Sequence, residues 1–130
     1  MSGNATTDYT SLDVSRRLAE AGFKAEYDGR CWIHTDNERL AGSFLGYRTA
    51  NSTENVIADA YRADTLLSWL LERGFFEYIM ASVSGEVTVS FNDSKFLTGI
   101  IERKAKTLPD ALGEVAIVVL AREAKQCSSD

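Results

Sequence analysis

The chain has 130 residues, 45% of them hydrophobic and 25% charged, with a formal net charge of −5; these values are typical of one globular domain. The negative charge disfavours binding of nucleic-acid phosphates through a basic face. No apolar run approaches the roughly 20 residues that cross a membrane, and no basic and apolar leader opens the chain, so a cytoplasmic protein without membrane contact is predicted.

The N-terminal part predicts a short helix. Residues 1–9 are small and polar and are expected to fray. Thr10 would cap a helix that has Val14 and Leu18 on its buried side, and Gly22 would end it.

A second segment repeats this helix ending. The letters LAEAGF at 18–23 are matched by LLERGF at 70–75. In each copy the Gly fits the residue after a helix where a positive φ is required, and the following Phe packs back on the last turn. Because a β-like run follows each copy, the sequence predicts two helix-then-hairpin units.

The first hairpin is predicted around Asp28-Gly29, which joins two alternating runs, 23–27 and 30–34. Residues 35–59 carry weak signals and are predicted to be a long loop or insertion, in which 40–47 is a further candidate strand. Phe44 and Tyr47 fall in this range, where contact with a partner and packing in the core remain open alternatives.

The second helix is predicted to be capped by Asp64 or Thr65 and to be deeply buried. A start at Thr53 would give a longer helix and stays open as the alternative. Strands are then expected at 76–83 and 86–91, joined by Ser84-Gly85, with a third candidate at 95–104.

The last helix has the clearest start, with Thr107 as its cap and Pro109 in the first turn. It is predicted to run to about Ala124, with 125–130 frayed. One apolar stripe would face the core, formed by Leu108, Leu112, Val115 and Val119. A second stripe predicts a homodimer or partner interface, with cover by the chain itself as the alternative: Gly113, Ile117, Leu120 and Ala124.

Together these elements predict a single α+β domain. It would contain two helix-then-β-hairpin units and a C-terminal helix packed on an antiparallel sheet.

Residue types that carry chemistry are sparse. A lone His34 excludes a His-paired metal site in one chain, and the two cysteines lack zinc-site spacing. Cys31, in a strand-like run, is expected to be a buried thiol. No phosphate loop or nucleophile elbow occurs. We therefore assign no catalytic, cofactor-binding or metal-binding residue and predict a protein that is not an enzyme.

Three segments carry a resemblance: TSLDVSRRLAEAGF at 10–23, AYRADTLLSWLL at 60–71 and KTLPDALGEVAIVVL at 106–120. They resemble small uncharacterised phage and prophage α+β proteins over about 40 of the 130 residues. The resemblance implies an accessory protein of a mobile genetic element that acts through protein–protein contacts, with no enzyme activity to carry over.

Two alternatives remain. The order of helix, three strands and helix resembles double-stranded-RNA-binding domains at the level of fold. Arg103, Lys104 and Lys106 could serve a nucleic-acid-associated module, although Asp110 and Glu114 follow them where those domains are basic. A small hydrolase or transferase is the other alternative.

Overall fold

The computed structural model describes residues 8–26, 28–35, 42–47, 56–93 and 100–128. The elements in chain order are α1 (Leu12–Glu20), β1 (Arg30–Thr35), β2 (Gly42–Tyr47), β3 (Val56–Asp59), α2 (Ala63–Glu72), β4 (Phe75–Val83), β5 (Glu86–Asp93), β6 (Ile100–Ala105) and α3 (Leu108–Ser128). The strands form two antiparallel three-stranded sheets, ordered β2-β1-β3 and β4-β5-β6. The predicted α+β class is confirmed.

Both predicted glycine helix endings are present. Gly22 has φ 88° and Gly74 has φ 94°, the left-handed region that side chains disfavour. After α1, the N–H of Gly22 donates to the carbonyl of Ala19 at 3.1 Å, and the N–H of Phe23 donates to that of Leu18 at 2.9 Å. These two bonds define a Schellman ending and satisfy carbonyls that the helix leaves open.

The first hairpin lies elsewhere than predicted. β1 pairs with β2 and β3, and residues 23–26 belong to no strand. Phe23 is instead buried in the core, with its ring 4.7 Å from that of Tyr61 and 4.9 Å from that of Trp69. A buried aromatic residue beside polar neighbours imitates a strand's alternation, which is why the pattern misled.

The range predicted as a long loop contains two strands, β2 and β3. β2 corresponds to the candidate strand predicted at 40–47. Because β3 covers Val56–Asp59, the longer helix from Thr53 is wrong and the shorter one is confirmed. α2 begins at Ala63 after Arg62, which makes no side-chain cap bond, and the Asp64 carboxylate accepts from the N–H of Thr65 at 2.9 Å. The predicted cap at these residues is therefore wrong.

The cap of α1 is one residue later than predicted. Ser11 accepts a hydrogen bond from the N–H of Val14 at 3.3 Å. The hydroxyl of Thr10 is buried and accepts from the N–H of Tyr61 at 3.1 Å, so tertiary structure uses the group that the local pattern assigned to the cap.

Parts of the two ranges predicted to fray belong to described elements of the fold. Tyr9 is buried, and α3 continues to Ser128 rather than ending near Ala124. The outermost residues lie outside the described part.

α3 contacts α1, α2, β5 and β6, so the core lies around it. Its N-terminal cap is as predicted, with the N–H of Asp110 donating to the hydroxyl of Thr107 at 3.3 Å. Val89 and Phe91, which alternate with polar residues along β5, are fully buried. Within the described residues, no helix has both the length and the apolar character needed to cross a membrane.

Candidate protein-contact surface

Several large apolar side chains are strongly exposed to solvent. In the described part of the chain the large ones are Tyr47, Leu71, Met80, Val83 and Ile100. Three of them lie on α2 and β4, which contact each other. Isolated exposed apolar residues are ordinary on a protein surface, whereas apolar side chains exposed together are typical of a contact site. Met80 and Val83 are exposed together at the end of β4.

The end of the β4–β5 hairpin is exposed on both faces. Every residue from Met80 to Glu86 is exposed, with 53% of Met80 and 69% of Val83 accessible to solvent. The turn has positive φ at both central residues, 54° at Ser84 and 80° at Gly85, as two-residue type I′ turns require. The hairpin end is therefore a formed structure that presents apolar side chains to solvent.

The two outer strands of this sheet differ in charge. In the part of the chain that the structure describes, β4 and β6 each pair with β5 alone, so each has a free row of backbone donors and acceptors. β6 carries Glu102, Arg103 and Lys104, all exposed, and such charges protect an edge from pairing. β4 carries Glu77 in its first half and no charge from Met80 to Val83, so its second half is the edge open to another strand.

The interface stripe predicted on α3 is divided by the structure. Gly113 is buried under α1, and a Cβ there would lie 2.5 Å from Cγ1 of Val14, so Gly113 cannot contact a partner. Ile117 and Leu120 are partly buried and pack against the core, and Ala124 is exposed. An interface through the second half of this stripe stays a prediction.

Tyr47 and Phe44, the other predicted contact residues, lie on β2, and the side chain of Phe44 is outside the described part. Tyr47 is 55% exposed, and its ring packs on the Arg30 guanidinium, whose Cζ lies 4.2 Å from the ring centroid. Arg30 also lies over the ring of Tyr9, whose hydroxyl donates to Asp28 at 2.5 Å. Burial, together with this bond to a carboxylate, raises the pKa of Tyr9. One face of Tyr47 is thus held by the chain itself.

A groove of about 570 Å³ lies between residues 24–26 and α2. Its polar lining consists of Lys24, Glu26, Asp64, Thr65, Ser68 and Glu72. Among the described residues, no three His, Cys, Asp or Glu side chains are grouped to hold a metal ion. The expectation that the chain has no catalytic or cofactor site stays a prediction.

An acidic residue lies beside the basic residues near the end of β6. Arg103, Lys104 and Lys106 are exposed, and the Arg103 guanidinium donates to the carbonyl of Glu102 at 2.7 Å. The Glu102 carboxylate accepts from the Ser90 hydroxyl at 3.1 Å, on the same face of β6 as Lys104. Glu102 therefore reduces the positive charge of this group.

Leu71, Met80 and Val83 were not predicted to be surface residues. Their apolar character suggested core positions, because periodicity does not indicate how far neighbouring helices cover a strand. The Ser84-Gly85 turn was the available signal, since residues beside a hairpin turn lie at the end of a sheet.

Comparisons of the chain with protein-family models, with curated proteins and with solved structures returned no match. The resemblance to phage and prophage proteins stays a prediction, and function is argued from the surface of the molecule.

Proposed function

We propose that this protein is a small cytoplasmic accessory protein of the phage or prophage type that acts through protein–protein contact and not through catalysis. The observation that carries the proposal is the exposure of Met80 and Val83 at the end of β4, together with that of Leu71 on α2. Exposure of Leu71, Met80 and Val83 to water is unfavourable, and contact with a partner removes them from water. The phage-type assignment is supported by the three resembling segments of the sequence.

The shape of this surface favours a protein over a small molecule. Small-molecule sites are concave and enclose most of the ligand. The end of the β4–β5 hairpin is exposed on both faces from Met80 to Glu86, so it offers an edge and a protrusion. An open strand edge is a surface on which another chain adds a strand through main-chain hydrogen bonds.

Photo-crosslinking in the cells that make the protein tests this function. A photoreactive amino acid at Val83 is expected to give a discrete protein adduct, identified by mass spectrometry, because Val83 lies at the open edge. The matched control places the same amino acid at Arg16, an exposed polar position on α1. The absence of an adduct at Val83, or equal adducts at both positions, would contradict the proposal.

A nucleic-acid-associated role is the second candidate. It is favoured by the exposure of Arg103, Lys104 and Lys106 near the start of α3. Glu102 beside them and the net charge of −5 oppose it, and direct binding measurements decide the matter.

A further inference from the structure

We propose that the groove between residues 24–26 and α2 binds an extended, lysine- or arginine-rich segment of a partner protein, which pairs with residues 24–26 as an added strand. The inference goes beyond the proposed function, because it names a second contact site, lined by α2 and residues 24–26 and not by the end of β4. Three observations carry it: a strand-like segment without backbone hydrogen bonds, a groove beside that segment, and carboxylates along the groove.

The segment from Phe23 to Glu26 has the form of a strand. It contains no turn or bend, and burial alternates along it. Phe23 is buried and Ala25 packs against the core, whereas Lys24 and Glu26 are exposed. A period of two in burial is that of an extended chain with one face turned inward. The segment therefore runs as a strand would, although it belongs to neither sheet.

No strand lies beside this segment in the described part of the chain. The N–H of Phe23 donates to the carbonyl of Leu18, which completes the ending of α1. From Lys24 to Glu26, no backbone group has a hydrogen-bonded partner among the described residues. An unpaired row of backbone donors and acceptors is a template on which an extended peptide adds a strand.

The groove offers space for the added strand. Its volume of about 570 Å³ lies within the range of about 300–1,000 Å³ that is typical of binding sites. Residues 24–26 form one wall, and α2 forms the other. The wall of α2 includes Asp64, Ser68 and Glu72, which are spaced by four residues and therefore share one face of the helix. A peptide in the groove thus meets unpaired backbone on one side and polar side chains on the other.

The charge of the groove determines which peptide it favours. In the part of the chain that the structure describes, its lining carries the carboxylates of Glu26, Asp64 and Glu72 and the ammonium group of Lys24. Of these carboxylates, only that of Asp64 has an ion pair among the described residues, at 3.6 Å from Nε of Arg62. An excess of carboxylates attracts lysine and arginine side chains and repels acidic ones. The groove is therefore complementary to a basic peptide.

Fluorescence anisotropy of the purified full chain with a labelled peptide of Lys-Val repeats tests the site. Micromolar binding at low salt is expected, whereas a peptide of Glu-Val repeats should not bind. The third probe is the Lys-Val peptide with every backbone nitrogen methylated, which keeps the charges and removes the N–H donors. It is expected to bind about tenfold or more weakly, because it cannot pair as a strand.

Glu72→Lys places the opposite charge on the α2 wall of the groove. It should weaken binding of the Lys-Val peptide about fivefold or more at low salt, because an attraction is replaced by a repulsion. The matched control is Glu86→Lys, the same change at an exposed position of the β4–β5 hairpin. This control should leave the affinity unchanged, and circular dichroism establishes that both variants are folded.

Three results would overturn the inference: no binding of the Lys-Val peptide, equal binding of its methylated form, or equal weakening by Glu72→Lys and Glu86→Lys. Each of these results leaves the crosslink expected at Val83 untouched, so failure of the groove and failure of the proposed function are distinguishable.

Amide hydrogen exchange on the wild type decides if Glu72→Lys fails to fold. The amides of residues 24–26 are expected to exchange fast in the free chain, because they lack hydrogen bonds, and to become protected when the Lys-Val peptide is added. Unchanged exchange at 24–26 overturns the inference. Protection at 80–83 in place of 24–26 also overturns it, because the peptide then binds at the end of β4.

Discussion

At the scale of single residues, Asp110 links the starts of two helices. Its carboxylate accepts the N–H of Ser11, the cap of α1, at 2.7 Å, and its own N–H donates to Thr107, the cap of α3. Burial raises the pKa of Asp110, and the hydrogen bonds from Ser11 oppose that shift without cancelling it. The ionised carboxylate is therefore less favourable in the folded chain than in the unfolded one.

This pKa shift predicts a pH dependence of stability. In the window between about pH 4, the usual value for Asp, and the raised folded pKa, the folded state binds more protons than the unfolded state. Stability from Asp110 is thus fully present below the unfolded pKa and is lost as pH rises through the folded pKa. Asp110→Asn keeps an oxygen that accepts from Ser11 and removes the titration.

Urea unfolding across this window measures the difference in stability between wild type and Asp110→Asn. The wild type should lose stability relative to the variant as pH rises, with a constant difference outside the window. A constant difference throughout, or a relative gain by the wild type, would contradict the assignment.

Residue-level features were predictable where their cause is local. The positive φ of Gly22 and Gly74 follows from helix endings that lie within six consecutive letters. The cap of α1 was misplaced by one residue because the Thr10 hydroxyl bonds to Tyr61, 51 positions away. Such a bond depends on the fold and has no signal near Thr10.

At the scale of elements, α1 and α3 are joined by close packing and by charge. The Arg17 guanidinium makes a bidentate bond to the Glu114 carboxylate, which raises the pKa of Arg17. Beside Glu114 on α3, Gly113 brings this helix against Val14, which lies about one turn before Arg17 on α1. A glycine inside a helix costs about 1 kcal/mol relative to alanine, so its presence here is explained by the approach of α1.

Gly113→Ala tests this contact. Helix propensity alone would stabilise the chain, but a Cβ at 2.5 Å from Cγ1 of Val14 must displace a β-branched side chain that has little rotamer freedom. We expect net destabilisation of about 1–3 kcal/mol, the usual range for overpacking, measured by denaturant unfolding.

The control for this substitution is the same change in a Val14→Ala background. With both γ-methyl groups of Val14 removed, including the Cγ1 that the new Cβ would meet, Gly113→Ala should become neutral or stabilising. Equal effects in both backgrounds would show that α1 does not restrict this position.

Elements joined by short turns were predicted well, and elements paired across longer connections were not. The β4–β5 hairpin follows from an alternating run and the adjacent Ser84-Gly85 turn. In the other sheet, β1 pairs with β2 and with β3. The segments that connect these three strands carry only weak sequence patterns. The sequence therefore misassigned the partner of β1 to residues 23–27.

At the scale of the whole molecule, the helices cover sheet β4-β5-β6 unevenly. Val89, Phe91 and Ile101 are buried, while the hairpin end beyond them is exposed. Apolar alternation predicted which residues face inward, but it did not predict where the helices stop covering the strands. The candidate contact surface begins where the helices stop covering the strands. It is therefore recognisable in the folded structure and not in the sequence pattern.

The charge of the whole molecule yields the last prediction, which concerns nucleic acid. Phosphate binding requires several lysines or arginines that act together and displace counterions. Here Arg103, Lys104 and Lys106 are exposed beside Glu102, in a chain with net charge −5. We expect negligible binding to generic duplex DNA or RNA at physiological salt, measured by fluorescence anisotropy with a labelled duplex. Lys104→Glu/Lys106→Glu should give the same flat titration. Micromolar binding by the wild type that weakens steeply with salt, and is lost in the double variant, would establish the nucleic-acid role instead, because a salt slope proportional to the phosphates contacted is specific to that mode.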